Sequence, residues 1–206
     1  MLSSRARRLG RTRRAPGGLR QAILDAARRL YVAHGAEGVS ARKIARAVGV
    51  SPTAIYLHYK NIDHVIEHLR MDGHALLARA LREAGAGLSA PEQVRAMGRA
   101  YYRFGLDHRG YYALMFSLRA EETPGREAVQ REMLTLMLLR DVVASGMATG
   151  TIRRDLDALV ITNVLWAKIH GVTALAVSGV LPETTAGHQD EVLEAMLTSA
   201  VQWITP

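Results

Sequence analysis

The apolar positions of this chain recur every three to four residues in nearly every segment, the spacing that lays one apolar stripe along a helix. Ile23, Ala26, Ala27, Leu30 and Tyr31 carry the first stripe and predict a helix over 19–34, ended at Gly35. The two glycines of GAEG (35–38) signal a turn. Ile44, Ala45 and Val48 continue from Ala41, and Ile55 comes three residues after Pro52. Lys60 is expected to open a long helix bearing Ile62, Val65, Ile66, Leu69, Leu76, Leu77 and Leu81. GAGLSAP (85–91) breaks the pattern, with Ser89 and Glu92 spaced as a capping box and Pro91 at an early helical position. Val94, Met97, Tyr101 and Phe104 or Gly105 resume it, and an aromatic-rich short helix is predicted over 110–118. EETPG (121–125) precedes a helix over 126–145 with Val129, Met133, Leu136, Met137 and Arg140 along it. A loop over 146–157 should pivot on Gly150, with Asp155 as the cap of the next helix. Two last helices, 156–179 and 188–204, are separated by GVLPETTAGH. No strand-length alternation and no repeat occurs, so the fold class is all-α.

One stretch within this pattern is more specific, GVSARKIARAVGVSPTAIYLHYKN over 38–61. Ser40 is an N-cap residue, its hydroxyl placed to accept from an orphan backbone N–H. Ala45 is small enough for two helices to cross steeply, and Gly49 supplies the positive φ that ends the first of them. Ser51 caps a second helix whose first position is Pro52. Ile55 turns back toward the first helix, leaving Thr53, Ala54, Tyr56 and His58 outward. This is a helix-turn-helix.

The run IYLHYKN, after ARAVGV at this spacing, resembles the DNA-binding domain of the TetR family of bacterial transcriptional regulators, and the match extends from about Arg20 to Leu69. The resemblance implies an N-terminal three-helix DNA reader, a C-terminal helical ligand-binding and dimerisation domain, and a fourth helix that links them. The expected organisation is a disordered basic arm over 1–18, a helix-turn-helix domain over 19–65, and a helical domain over 66–206.

Charge distribution agrees with a nucleic-acid partner for the front of the chain only. Residues 1–70 hold 14 Lys/Arg against Asp25, Glu37, Asp63 and Glu67, a net of +10, whereas the remainder is close to neutral at −2. The arm carries six arginines and no acid. It reads as a phosphate tether rather than a minor-groove reader, because no arginine is singled out by spacing. No apolar run reaches the roughly 18 residues of a membrane span, and no apolar segment comes after the basic N-terminus as in a signal peptide, so a cytoplasmic protein with no membrane partner is expected. Cysteine is absent, which removes disulfides and thiolate metal sites.

Tyr56 and Lys60, with Arg42 and Lys43, are candidate phosphate contacts; these position a protein without reading sequence. Thr53, Ala54 and His58 are placed to meet base edges, where Thr and Ala pack on a thymine methyl. Ser40 and Ser51, at the two helix starts, complete the DNA-facing set, and Tyr59 is expected to plug the small core. A second motif, WAKIHG (166–171), resembles the Trp–His–Gly motif of a subgroup of TetR-family C-terminal domains. Trp166, His170, Thr173 and Val177 share one helix face. With Tyr101, Met115, Phe116, Met133 and Met137 they are candidate lining for a ligand cavity, plain core packing being the alternative that periodicity leaves open. Tyr111 and Tyr112 cannot both face inward from one short helix.

His64, His68 and Asp72, four apart, could hold a metal only with a further ligand from elsewhere, and read instead as a solvated helix face. No metal or cofactor is implied. No Gly-rich phosphate loop, HExxH or nucleophile elbow occurs, so no enzyme is expected. The last two helices are apolar on more than one face, which suggests a homodimer interface, as the family resemblance also implies. The expected function is a sequence-specific regulator, a repressor released from a palindromic double-stranded DNA operator by a small, largely apolar effector. The rival readings are a DNA-binding regulator without an effector and an all-α enzyme for an acidic substrate.

Overall fold

The computed structural model describes residues 18–116 and 126–206, and their regular structure is helical, with no strand among the described residues. The basic arm, save Gly18, and the EETPG break lie outside the described residues. The chain divides into two compact units, Met1–Glu67 and His68–Pro206.

The first unit contains α1 (Gly18–His34), a 3-10 turn (Ala36–Gly38), α2 (Ala41–Val48), α3 (Pro52–Tyr56) and the start of α4 (Ile62–Gly85). The predicted stripes converge on one core, in which Ile23, Ala26, Ala27, Ile44, Ala45, Ile55, Tyr59 and Val65 are essentially without solvent contact. Gly38 is required by close approach, since a Cβ there would lie 2.2 Å from the His34 Cβ. Lys60 does not open α4. Its backbone N–H donates to His64 Nδ1 (3.3 Å), and Asn61 Oδ1 accepts from the His64 N–H (2.8 Å), so the side-chain cap sits at Asn61 and the helix begins at Ile62.

The second unit takes the rest of α4, then α5 (Ala90–Asp107), α6 (Arg109–Phe116), α7 (Arg126–Thr149), α8 (Ala158–Val177), α9 (Val180–Thr184) and α10 (Gln189–Ile204). Central α8 packs against α5, α7 and α10. Glu92 accepts from the Ser89 N–H (3.1 Å), completing the capping box that starts α5. Arg99 grips Glu194 with two bonds of 2.6 Å, tying α5 to α10.

Three boundaries differ from the sequence-based expectation. α7 runs on to Thr149, and only then does Gly150, at φ +76°, turn the chain. Ile152 drives the extension, because it is fully buried against Gly146 and its N–H bonds the Gly146 carbonyl (3.1 Å). Asp155 is not the cap of α8; it pairs with Arg153, and Asp157 accepts from the Leu159 N–H (2.7 Å) instead. The separator GVLPETTAGH also folds in part, since buried Leu181 anchors the short α9. Against the expectation that no apolar run is long enough, α8 is by length and composition apolar enough to cross a membrane. Its buried face, including Ile161, Thr162, Leu165 and Ile169, is that of the core helix of a bundle.

Candidate nucleic-acid interface and ligand cavity

The reader is fixed by caps at both ends of its turn. Ser40 Oγ accepts from the Lys43 N–H and Ser51 Oγ from the Ala54 N–H, each at 3.3 Å. Between them Gly49 adopts φ +78°, and its N–H closes α2 on the Ala45 carbonyl (2.9 Å). Both serine hydroxyls are thereby engaged with the backbone. Ile55 is buried, so the rest of α3 faces away from the core: Thr53 is exposed, Ala54 half-buried and Tyr56 52% exposed. α3 is shorter than expected and stops at Tyr56, which leaves His58 in the turn after it, its side chain exposed. Leu57, absent from the sequence-predicted set, is the most exposed large apolar residue described, at 79%. Arg42, Lys43 and Lys60 are also exposed. Tyr59 plugs the core at 1% exposure, and its hydroxyl donates to the Arg20 carbonyl.

The second unit holds a cavity of about 220 Å³. Of the residues singled out for it, Tyr101, Phe116, Met133 and Trp166 line it. Met115, Met137, His170 and Thr173 do not. Met115 is buried where α6 meets α4 so closely that a Cβ on Gly73 would lie 2.7 Å from its sulfur. Thr173 is fully buried, bonds the Ile169 carbonyl (2.7 Å), and presses its methyl against Gly105.

His170 instead organises a ring cluster beside the cavity. Its Nδ1 lies 2.9 Å from the Tyr101 hydroxyl and 3.0 Å from that of Tyr112, whose oxygen is also 3.4 Å from the His170 carbonyl. A neutral imidazole nitrogen accepts one proton, so one tyrosine can donate to Nδ1 while Tyr112 retains the carbonyl as an outlet. Burial holds the His170 imidazole below its ordinary value, which keeps it neutral and able to accept. The same desolvation pushes Tyr101 far up and Tyr112 up to about 12, so both hydroxyls keep their protons. Phe116 closes the cluster, its ring 4.7 Å from His170 and 6.5 Å from Trp166. Tyr111 is half-buried against the same core and Tyr112 buried, so only one of the pair turns fully inward.

Two buried polar residues of the cavity lining, His74 and Thr135, are also absent from the sequence-predicted set, and His74 Nδ1 lies 3.2 Å from Thr135 Oγ1. A signal existed: His74 lies three and seven residues before Leu77 and Leu81, a polar residue on an apolar stripe. Such a residue needs a partner when buried.

A capped helix-turn-helix with an outward reading face, followed by a helical bundle, is the architecture shared by helix-turn-helix regulators. The family model described as "Bacterial regulatory proteins, tetR family" matches residues 23–69, and "Tetracyclin repressor-like, C-terminal domain" matches 94–200. The chain belongs to the TetR family. It is 27% identical over 151 residues to the HTH-type transcriptional regulator Rv1816 of Mycobacterium tuberculosis, covering 71% of this chain and 64% of that protein. The HTH-type transcriptional repressor AcnR of Corynebacterium glutamicum is 34% identical over 70 residues, 34% of this chain and 37% of that one. Among solved structures, a Rhodococcus sp. RHA1 protein of unknown function superposes with a TM-score of 0.83 at 28% identity, covering 95% of this chain and all of that one. A TetR family transcription regulator from Marinobacter aquaeolei VT8 shares the fold, with a TM-score of 0.70 at 22% identity over 90% of this chain and 95% of its own.

Proposed function

We propose that this regulator is a repressor that binds a palindromic operator as a homodimer and is released by a small, largely apolar effector. Tyr56, Lys60, Arg42 and Lys43 hold phosphates, Thr53, Ala54 and His58 meet base edges, and Ser40 and Ser51 keep the two helices in register at the DNA surface. The dimer forms through α8 and α10. In support, Leu159, Val160 and Leu175 on α8 remain between 44% and 48% exposed in the single chain. Pairing two readers about one helical turn apart gives a palindrome its purpose.

The observation that carries the effector half of this reading is the cavity of about 220 Å³, walled by α4, α5, α6, α7, α8 and α10. Interiors otherwise pack to crystal-like density, and few voids exceed a water molecule. The residues proposed to touch the effector are Tyr101, Phe116, Met133 and Trp166, with His170 acting through its bond to Tyr101. Effector binding releases DNA only through its difference in affinity between DNA-competent and incompetent states, and α4, the element containing the division between the two units, is the proposed carrier of that difference. The test is challenge of the complex with a duplex enriched from a random pool, using compounds of the cavity's size. Release by a compound that also raises the melting temperature of the free protein is the expected result. A set of compounds that stabilise the protein and leave the complex intact contradicts it.

A further inference from the structure

The cavity lining is uneven in its chemistry. Toward the cluster of Val94, Leu165 and Ala200 it offers carbon alone, and Leu81 and Met196 continue that wall. Near Phe116 it turns polar, where His74 and Thr135 are bonded to each other. Of the other polar side chains in the lining, Tyr101 already shares its hydroxyl with His170 Nδ1 at 2.9 Å. Thr135 keeps capacity in hand, because a hydroxyl has one donor and two lone pairs and the bond to His74 uses one of them. Among the described residues the lining contains no Asp, Glu, Lys or Arg. An ion carried in leaves its hydration behind and meets no opposite formal charge among the described lining residues, whereas a hydroxyl or carbonyl is satisfied by a single good hydrogen bond.

We propose that the cavity takes an uncharged ligand with one polar head, a hydroxyl or carbonyl held by Thr135 Oγ1, which His74 positions, and an apolar body laid toward Val94, Leu165 and Ala200. This deepens the effector reading and rests on it. An apolar cavity of roughly 150 Å³ holds benzene, so one of about 220 Å³ holds about nine heavy atoms.

Calorimetric titration of the full chain at neutral pH with 1-octanol, octanoate and octylammonium, which share one chain and differ in charge, tests the proposal. Octanol is expected to bind at least tenfold more tightly than either ion. Thr135→Val is expected to weaken octanol roughly two- to tenfold, the worth of one hydrogen bond, with the fold intact by circular dichroism. Ala200→Leu, which fills the apolar end, is expected to weaken it further. Either ion binding as well as octanol, or more tightly, overturns the uncharged class while leaving the effector cavity standing. Octanol affinity unchanged in Thr135→Val overturns the assigned head contact. Binding of none of the three overturns the cavity's role as an effector site, and this inference with it.

Discussion

The hydroxyl of Tyr59 donates to the backbone carbonyl of Arg20 across 3.2 Å, joining residues 39 apart in the chain. The Arg20 guanidinium lies 5.6 Å from the centre of the same ring. One aromatic residue thus fills the core beneath the reader and ties down the first turns of α1. Tyr59→Phe keeps the filling and removes the bond, so it should lower stability by about 1 kcal/mol. Tyr59→Ala empties the site and should lower it by about 3–5 kcal/mol. Denaturant unfolding of the two variants checks the order. Equal losses would mean that the ring contributes nothing beyond its hydroxyl.

Tyr56 and Lys60 face outward beside the reader without supporting the core, so their loss should act on DNA and not on folding. Lys60→Ala should weaken binding to all sequences alike and reduce the salt slope by about one. The slope of log affinity against log salt measures this. Thr53→Ala, by contrast, should change which base is preferred at one position of each half-site and leave the slope alone.

Because burial depresses His170, the folded chain keeps this imidazole neutral while the unfolded chain protonates near its ordinary value of about 6.5. The unfolded state therefore takes up the proton first as pH falls. Stability from this group is complete above about pH 6.5 and is lost as pH falls toward the lowered folded value. Partial burial keeps the effect modest. Melting temperatures of the protein and of His170→Gln, followed from about pH 7.5 to about pH 5, should show a shallower fall in the variant. An identical fall would exclude His170 as a contributor.

Two glycine-to-alanine changes should differ in sign for a steric reason. At Gly146 a Cβ would lie 2.6 Å from Ile152 and 2.8 Å from the Ala90 Cβ, so overpacking of about 1–3 kcal/mol outweighs the gain in helix propensity. At Gly85 the nearest atoms are 3.6 Å away, an ordinary contact, and alanine should stabilise by roughly 0.5–1 kcal/mol. Thermal unfolding of the pair is the measurement.

The reader is legible in the sequence because its signals are local. Ser40, Gly49, Ser51 and Pro52 each do a job set by the backbone within four residues, and Ile55 and Tyr59 belong to one stripe. Lys60 misleads because capping falls to whichever side chain reaches a free N–H, and Asn61 reaches it first. The cavity is legible only in part. A stripe reports which face is buried but not whether the buried face touches a neighbour or a void, so Thr173 and Met115 read the same as Trp166 and Phe116. Asp155 fails as a cap for a tertiary reason: Arg153, whose N–H bonds the Ile204 carbonyl (2.7 Å), claims its carboxylate, which leaves Asp157 free to cap.

Selection of bound duplexes from a random DNA pool at near-physiological salt tests the central claim most directly. Enrichment of a palindrome whose half-sites lie about one helical turn apart is expected. Binding without enrichment, fading as salt rises, would contradict it and reduce the basic front of the chain to a polyanion tether.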